Sequence, residues 1–430
     1  MGASVGIVSC GSNSSLSNMQ HKASGLGFRA FVSNPLFPNG AINSPVLNIV
    51  NASQDVLSPS PISLLGTSAS PGLMVVSSDL SRTMVFSPTG NTVAVVDNTT
   101  ESIASIPGTT TPVPPIMLPG TTESMFIGND NLTAYAAVPT APITGSAPGA
   151  VVVMSIGSGT VTATIPVPGA HYLVGSPDGN HLLVFSDNSD NVTVITTALV
   201  GTNQDPRQPP GGIGGFHRPV WAIFSGNTTA YIFNCGLECG GVSAADMTPG
   251  INTFTIGDAA PSALVPLSAA TYGLLNGNTL YVAGTPPGTR CGAGTAAATC
   301  GTLNVVDANS LKVTKGPILI PDGYHDRMQL GANGQLFVGS HSCTSINISG
   351  GEVRGCLAIV DTNSFKVVIP PQIGDVTGIQ PITGRNVVYV CQGGVFQIFD
   401  TTTDQLLVQI RMIDILGQST DVKLVDPPPS

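Results

Sequence analysis

Charge is what this sequence has least of. Only 9% of its 430 residues are Asp, Glu, Lys or Arg, and 14 basic side chains face 24 acidic ones, for a formal net charge of −10. The basic residues stand singly along the chain. No stripe exists that could neutralise a phosphate backbone, so nucleic acid is not an expected partner. No run of about 18 uninterrupted apolar residues occurs, which excludes a transmembrane helix, and no strand alternates in a way that demands a lipid-facing surface. There is one Trp and no C-x-x-C-H haem site, which disfavours haem and quinone chemistry. Neither G-x-G-x-x-G nor a P-loop leads from a strand into a helix, so nucleotide use is unsupported.

What remains is rich in small and β-forming residues, with 51 Gly, 35 Pro and 42% hydrophobic content. That is too apolar for disorder and too poor in helix formers for a helical protein, which leaves an all-β fold. Closed all-β architectures exceed the usual domain length of about 150 residues as single units, so the length does not force a split.

One β-rich segment recurs eight times, often ending in Asp and small polar residues: VLNIVNASQD (46–55), TVAVVDNTT (92–100), AVVVMSIGSG (150–159), NVTVITTAL (191–199), INTFTIGDA (251–259), TLNVVDANS (302–310), CLAIVDTNS (356–364) and VFQIFDTTT (395–403). Val, Ile and Phe suit a strand covered on both sides, and Asp97, Asp307, Asp361 and Asp400 can accept from backbone N–H groups just beyond them to start a turn. Hairpins with Gly or Asn at their tips precede these segments, as in 171–186, 220–234, 272–284, 327–340 and 376–390. The hairpin supplies strands a and b, the repeated segment is strand c, and a ragged strand d follows. A period near 50 residues then predicts a single eight-bladed β-propeller of four-stranded antiparallel blades, seven blades being the alternative. The first copy begins at strand b (28–34), and an extra strand-like piece, TDVKLVD (420–426), follows the last. The C-terminus is therefore expected to complete blade 1 and close the ring. Residues 1–27 read as a flexible tail and 28–430 as the propeller.

The stretches SPDGN (176–180), LYVAG (280–284), VVYV (387–390), NVVDANSLKV (304–313) and AIVDTNSFKVV (358–368) resemble the YVTN-type propeller repeats of bacterial surface and secreted proteins. The resemblance covers nearly everything after residue 28, with blades 4 and 5 departing in their outer strands. It implies a fold and an exported setting, and says little of function.

Six of the eight Cys form local pairs between strands b and c of blades 5, 6 and 7: Cys235/Cys239, Cys291/Cys300 and Cys343/Cys356. Disulfides are expected, a metal site being the competing reading, and they imply an oxidising compartment. Cys10 lies in IVSC followed by GSNSS, which looks like a lipoprotein cleavage box. It reads either as a lipid anchor or as an ordinary Cys, unpaired or joined to Cys391.

In a propeller, b-to-c and d-to-a connections share one face. Here the b-to-c loops at 34–45, 139–149, 234–250, 285–301 and 341–355 are long, Gly/Pro-rich or Cys-bearing, whereas the turns of the opposite face are minimal. Binding residues concentrate on such loops. Alignment through strand b places Glu123, His171 and His325 level with one another where strand a opens into the channel, with His217, Arg218, Asp326, Arg327, Asp375 and Asp421 close by. Gly72, Pro219, Ala270 and Val376 fill that position in four of the remaining blades. This cluster reads as a site for a metal ion, an anionic ligand or a substrate proton, or as channel groups that hydrogen-bond each other and water. No cofactor is predicted, a metal at the channel mouth staying open although the Arg neighbours would repel it. The leading expectation is an exported binding scaffold for a protein, glycan or small molecule. The alternative is a lactonase-like hydrolase or a lyase with His171 or His325 as base and Arg218 or Arg327 as clamp.

Overall fold

The computed structural model describes residues 23–40, 42–242, 246–289, 299–344, 346–347, 353–403, 405–406 and 413–428. Among the described residues, eight antiparallel sheets of three to five strands follow one another along the chain, beside one small two-stranded ribbon of Ile346–Asn347 and Val353–Arg354. Their inner strands are Asp421–Leu424, Met74–Val76, Ser124–Ile127, Ala170–Gly175, Pro219–Phe224, Tyr272–Asn276, Tyr324–Leu330 and Val376–Pro381. Each inner strand packs against the next, and the last packs against the first, so the sheets are blades of a closed ring. Seven blades are excluded by this count.

The reason for the continuous apolar runs is burial on both faces. In the second strand of blade 4 (His181–Ser186), Leu182, Leu183, Val184 and Phe185 are all buried, because odd and even positions each meet a neighbouring blade. Tyr135, Val151 and Val153 of blade 3 thus share one apolar layer with Leu173, Leu182 and Val184 of blade 4. The Asp residues after strand c do the turn work expected of them. Asp97 Oδ1 accepts from Thr99 N at 2.8 Å, Asp361 Oδ1 from Ser364 N at 2.7 Å and Asp400 Oδ1 from Thr402 N at 2.8 Å.

Three features differ from the expected pattern. Blade 4 has three regular strands, its outer position being taken by single bridges from Val192 to Ile213 and from Ile195 to Arg207. The outer strand of blade 5 is only Val265–Pro266, but blades 1, 2, 7 and 8 have outer strands equally short, so blade 5 does not depart from the others as expected. The expected loop at 34–45 is largely strand, since Arg29–Asn39 and Ile42–Asn51 continue through it as one long hairpin with a register shift between Asn34 and Phe37.

Disulfides join Cys235 to Cys239 and Cys343 to Cys356, with Cα separations of 5.7 and 5.6 Å. Cys300 is disulfide-bonded as well, while its expected partner Cys291 lies outside the described residues. Cys10 lies outside them too. Cys391 is a free thiol buried in blade 8.

Closure is antiparallel pairing of the C-terminal strand with the first strand, in the register Ala30 to Leu424, Phe31 to Lys423, Val32 to Val422 and Ser33 to Asp421. Beside it sits Arg29, fully buried. Its Nε donates to Asp426 Oδ2 at 2.7 Å, its Nη2 to Asp426 Oδ1 at 2.9 Å and its Nη1 to Glu101 Oε1 at 2.5 Å. One guanidinium thereby ties the first strand to the C-terminal segment and to the c-to-d turn of blade 2. Ser24 Oγ donates to the same Glu101 at 2.5 Å. On the other side, Arg385 and Tyr389 of blade 8 both bond Asp55 of blade 1.

Removing the cation from such a buried cluster leaves two carboxylates uncompensated. Arg29→Ala is expected to cost about 3–5 kcal/mol in urea unfolding, whereas a loss under about 1 kcal/mol, the worth of an exposed pair, would contradict this assignment.

Candidate functional site

The inner strands of blades 4, 5, 7 and 8 share a local irregularity that positions the site. Each shifts register against strand b near its start, between Ala170 and Tyr172, Pro219 and Trp221, His325 and Arg327, and Val376 and Gly378. The extra residues are His171, Val220, Asp326 and Thr377. Such a bulge sets two residues against one and re-aims their side chains. His171 and Tyr172 accordingly lie side by side, rings stacked at 4.2 Å and 7°.

The a-to-b turn corrects the expected alignment, since it spans 176–181 in blade 4 but 331–335 in blade 7, one residue fewer. His171 is level with Asp326, and His325 is level with Ala170. The His325 side chain is buried, packs where a Cβ on Gly301 would strike it, and donates from Nε2 to Pro321 O at 3.1 Å. Burial lowers its pKa to about 4, so it is a neutral, sequestered imidazole.

His171 is the opposite case. Its Nδ1 bonds Asp187 Oδ1 at 2.7 Å and its Nε2 bonds Glu123 Oε2 at 3.1 Å, while Tyr172 OH donates to the same Glu123 oxygen at 3.2 Å. Desolvation works against its charge, but the hydrogen bonds and charges of Asp187 and Glu123 prevail and raise its pKa to about 9. The hydrogen bond from His171 holds the Glu123 carboxyl below its usual range.

Arg218, in left-handed backbone (φ 56°), donates from Nη2 to Asp246 at 3.2 Å and lies 3.7 Å from Asp190. His217 lines neither pocket described below. Its backbone N–H donates to Asn234 Oδ1 and its carbonyl accepts from Gly236, which anchors the Cys235–Cys239 loop. Asp326 lies 3.6 Å from His341 Nδ1 and 3.7 Å from Arg327 Nη2, and the bond to Asp326 raises the His341 pKa.

These groups border two adjoining cavities. An outer one of about 390 Å³ lies among Glu123, His171, Asp187, Arg218, Tyr324 and His341, with Cys239 of the disulfide loop at its rim. An inner one of about 130 Å³ lies among Tyr172, Trp221, Tyr272, Asp326 and Arg327. Glu123, Tyr172, Val220 and Tyr324 wall both. The site therefore opens on the face that carries the long b-to-c loops. Asp375 and Asp421 serve elsewhere: Asp375 accepts from Ser342 N at 2.8 Å, and Asp421 accepts from Met74 N at 2.8 Å within the closure. Among the described residues, no group of three or more His, Cys, Asp or Glu is arranged to hold a metal ion.

Reading the sequence by charge alone passed over the aromatic half of the site. Tyr172 and Tyr324 stack at 6.3 Å, Trp221 meets Tyr172 edge-on at 6.2 Å, and Tyr272 lies 5.1 Å from Trp221. The signal was present. Aromatic residues are 5% of the chain, yet the inner strands of four consecutive blades open with HY, VW, TY and YH. Asp187, His341 and Glu238 were passed over as well. Glu238 sits inside the Cys235–Cys239 loop, accepts from Thr285 N at 2.8 Å, and is pushed up to about 8 by burial.

No protein-family model and no curated protein sequence matches this chain. Solved structures do. The chain is similar to a dihydro-heme d1 dehydrogenase, NirN, in complex with DHE, at TM-score 0.58 and 10% identity over 93% of this chain and 75% of that one. It is also similar to the hydrazine synthase of Kuenenia stuttgartiensis, at TM-score 0.51 and 15% identity over 80% and 96%, and to a eukaryotic initiation factor, at 0.51 and 11% over 94% and 99%. At these identities the likeness shows the propeller fold and nothing of chemistry.

The carboxylate clamp makes His171 a measurable reporter. Its folded pKa stands above the ordinary 6.5, so its contribution to stability is complete below about 6.5 and is lost as pH rises through about 9. Imidazole proton NMR should show one His still charged at pH 8. Asp187→Asn should return that titration toward 6.5. A His171 midpoint at or below 6.5 in the parent would contradict the clamp.

Proposed function

We propose that this protein is an exported binding scaffold that holds a small-molecule ligand at the channel mouth of its b-to-c loop face. The observation that carries this reading is convergence: groups from blades 3, 4, 5 and 7 meet around one cavity of about 390 Å³, within the range of small-molecule sites. Disulfides, two of them between described residues, support an extracytoplasmic setting, because they persist in oxidising compartments. The YVTN-like motifs point to the same setting. A lipid anchor at Cys10 would fit with it.

Binding is favoured over the hydrolase or lyase alternative by the state of the two imidazoles. A general base needs a free nitrogen and a pKa near the working pH. Both nitrogens of His171 are engaged by carboxylates that keep it charged, and His325 is buried against Pro321. Neither is poised to take a proton from a substrate. Arg218 and Arg327 suit electrostatic recognition equally well without catalysis.

A thermal-shift screen of small organic acids, amines and sugars tests this reading. A ligand at the mouth should raise Tm by about 2 °C or more, which corresponds to about 1 kcal/mol of binding linkage in a domain of this size. The shift should vanish in Tyr324→Ala and persist in Asn180→Ala, on the opposite face. Hits that act equally on both variants would place the ligand elsewhere and overturn the proposal.

A further inference from the structure

The inner cavity narrows the ligand's chemistry, on the reading that the channel is a binding site. Its walls are unequal. Tyr172, Trp221 and Tyr272 come from three consecutive blades and form a nearly continuous aromatic surface, with ring centroids 6.2 and 5.1 Å apart. The next blade contributes Arg327, which occupies the position just after the bulge that Tyr172 and Trp221 occupy in theirs.

Arg327 is underused by the protein. Among the described residues its one hydrogen bond runs from Nε to Val376 O, at 3.3 Å. The nearest carboxylate, Asp326, stands 3.7 Å from Nη2, beyond hydrogen-bonding distance, and is shared with His341. The side chain remains 29% exposed. A planar fork of N–H donors whose terminal nitrogens make no hydrogen bond among the described residues, Nη2 being held only in the loose ion pair with Asp326, set in a narrow aromatic chamber, matches a carboxylate that can bond it twice.

The outer cavity has the complementary character. Glu123 and Asp187 are 62% and 49% exposed, and each engages His171 through a single oxygen, leaving the other to accept from a ligand. The shared walls, Tyr172 and Tyr324, lie nearly parallel, 10° apart, which suits a flat body passing between the cavities.

We propose that the channel takes a small ring carboxylate, with the carboxylate bonded to the Arg327 guanidinium, the ring against the Tyr172, Trp221 and Tyr272 wall, and hydroxyl or amino substituents directed to Glu123 and Asp187 at the mouth. An aliphatic acid lacks the ring, and a neutral aromatic alcohol lacks the charge. Both should bind less well.

The single Trp of the chain makes the test direct, because Trp221 forms the wall itself and no other indole contributes to the emission. The full chain is titrated with 4-hydroxybenzoate, 4-hydroxybenzyl alcohol and acetate while Trp221 fluorescence is followed. The benzoate should give a saturable change at a concentration at least about tenfold below the alcohol, the ratio that one charge-assisted pair supports, and acetate should be weaker than the benzoate by a similar factor. In Arg327→Gln the benzoate should lose its advantage while the alcohol binds as before. Arg327→Lys, which keeps the charge and loses the fork, should fall between, and it serves alone if the Gln variant does not fold.

Equal affinity for benzoate and alcohol, or an advantage that survives Arg327→Gln, would overturn the carboxylate assignment and leave the channel reading standing. No saturable response to any probe would overturn it too. The Tyr324→Ala thermal comparison then decides the broader reading by itself.

Discussion

Everything in this molecule hangs on four residues at each end of the chain that pair with one another. Residues 30–33 and 421–424 form the antiparallel contact that turns a row of sheets into a ring, and the buried Arg29 guanidinium bridges that contact to the adjoining blade. A row of blades would leave two apolar faces and two open edges exposed to water. Closed, it has neither, and the inner strands are held at fixed mutual positions around one axis. The channel exists because of that constraint. Buried charge in so apolar a chain is concentrated where closure occurs, which is consistent with specifying one register rather than adding bulk stability.

The propeller was legible because its determinants are local and repeated. Strand c recurs eight times, half of its copies end in an Asp that starts the next turn, and Asp97 and Asp361 do so through backbone N–H groups two and three residues on. The missing first strand and the surplus last one announced the closure. What could not be read was register at the channel. Blades 4 and 7 carry the same bulge, but their a-to-b turns, 176–181 and 331–335, differ by one residue, which sets His171 level with Asp326 and His325 level with Ala170. Alignment through strand b therefore found the correct strands and the wrong residue of a neighbouring pair. The aromatic wall was missed for another reason. Tyr and Trp at the start of a strand are ordinary core choices, and only the ring brings four of them together.

The chemistry of the site follows from scarcity. Few charges exist, and at the mouth most are spent on one another: His171 on Glu123 and Asp187, Arg218 on Asp246 and Asp190. Such mutual satisfaction preorganises the rim and engages both ring nitrogens of His171. Arg327 pairs only loosely, with Asp326 at 3.7 Å, and lies in an aromatic surround. The disulfide between Cys235 and Cys239 fixes the loop at the rim.

Native-state hydrogen exchange tests the dependence of the channel on closure most directly. If the ring is one cooperative unit locked by its last strand, amides of Asp421–Leu424 should exchange as slowly as those of the inner strands Ala170–Gly175 and Pro219–Phe224, all through global unfolding. Exchange at 421–424 faster by about two orders of magnitude, a gap of about 2.7 kcal/mol, with the inner strands still protected, would show that the channel stands without its clasp and would contradict the account.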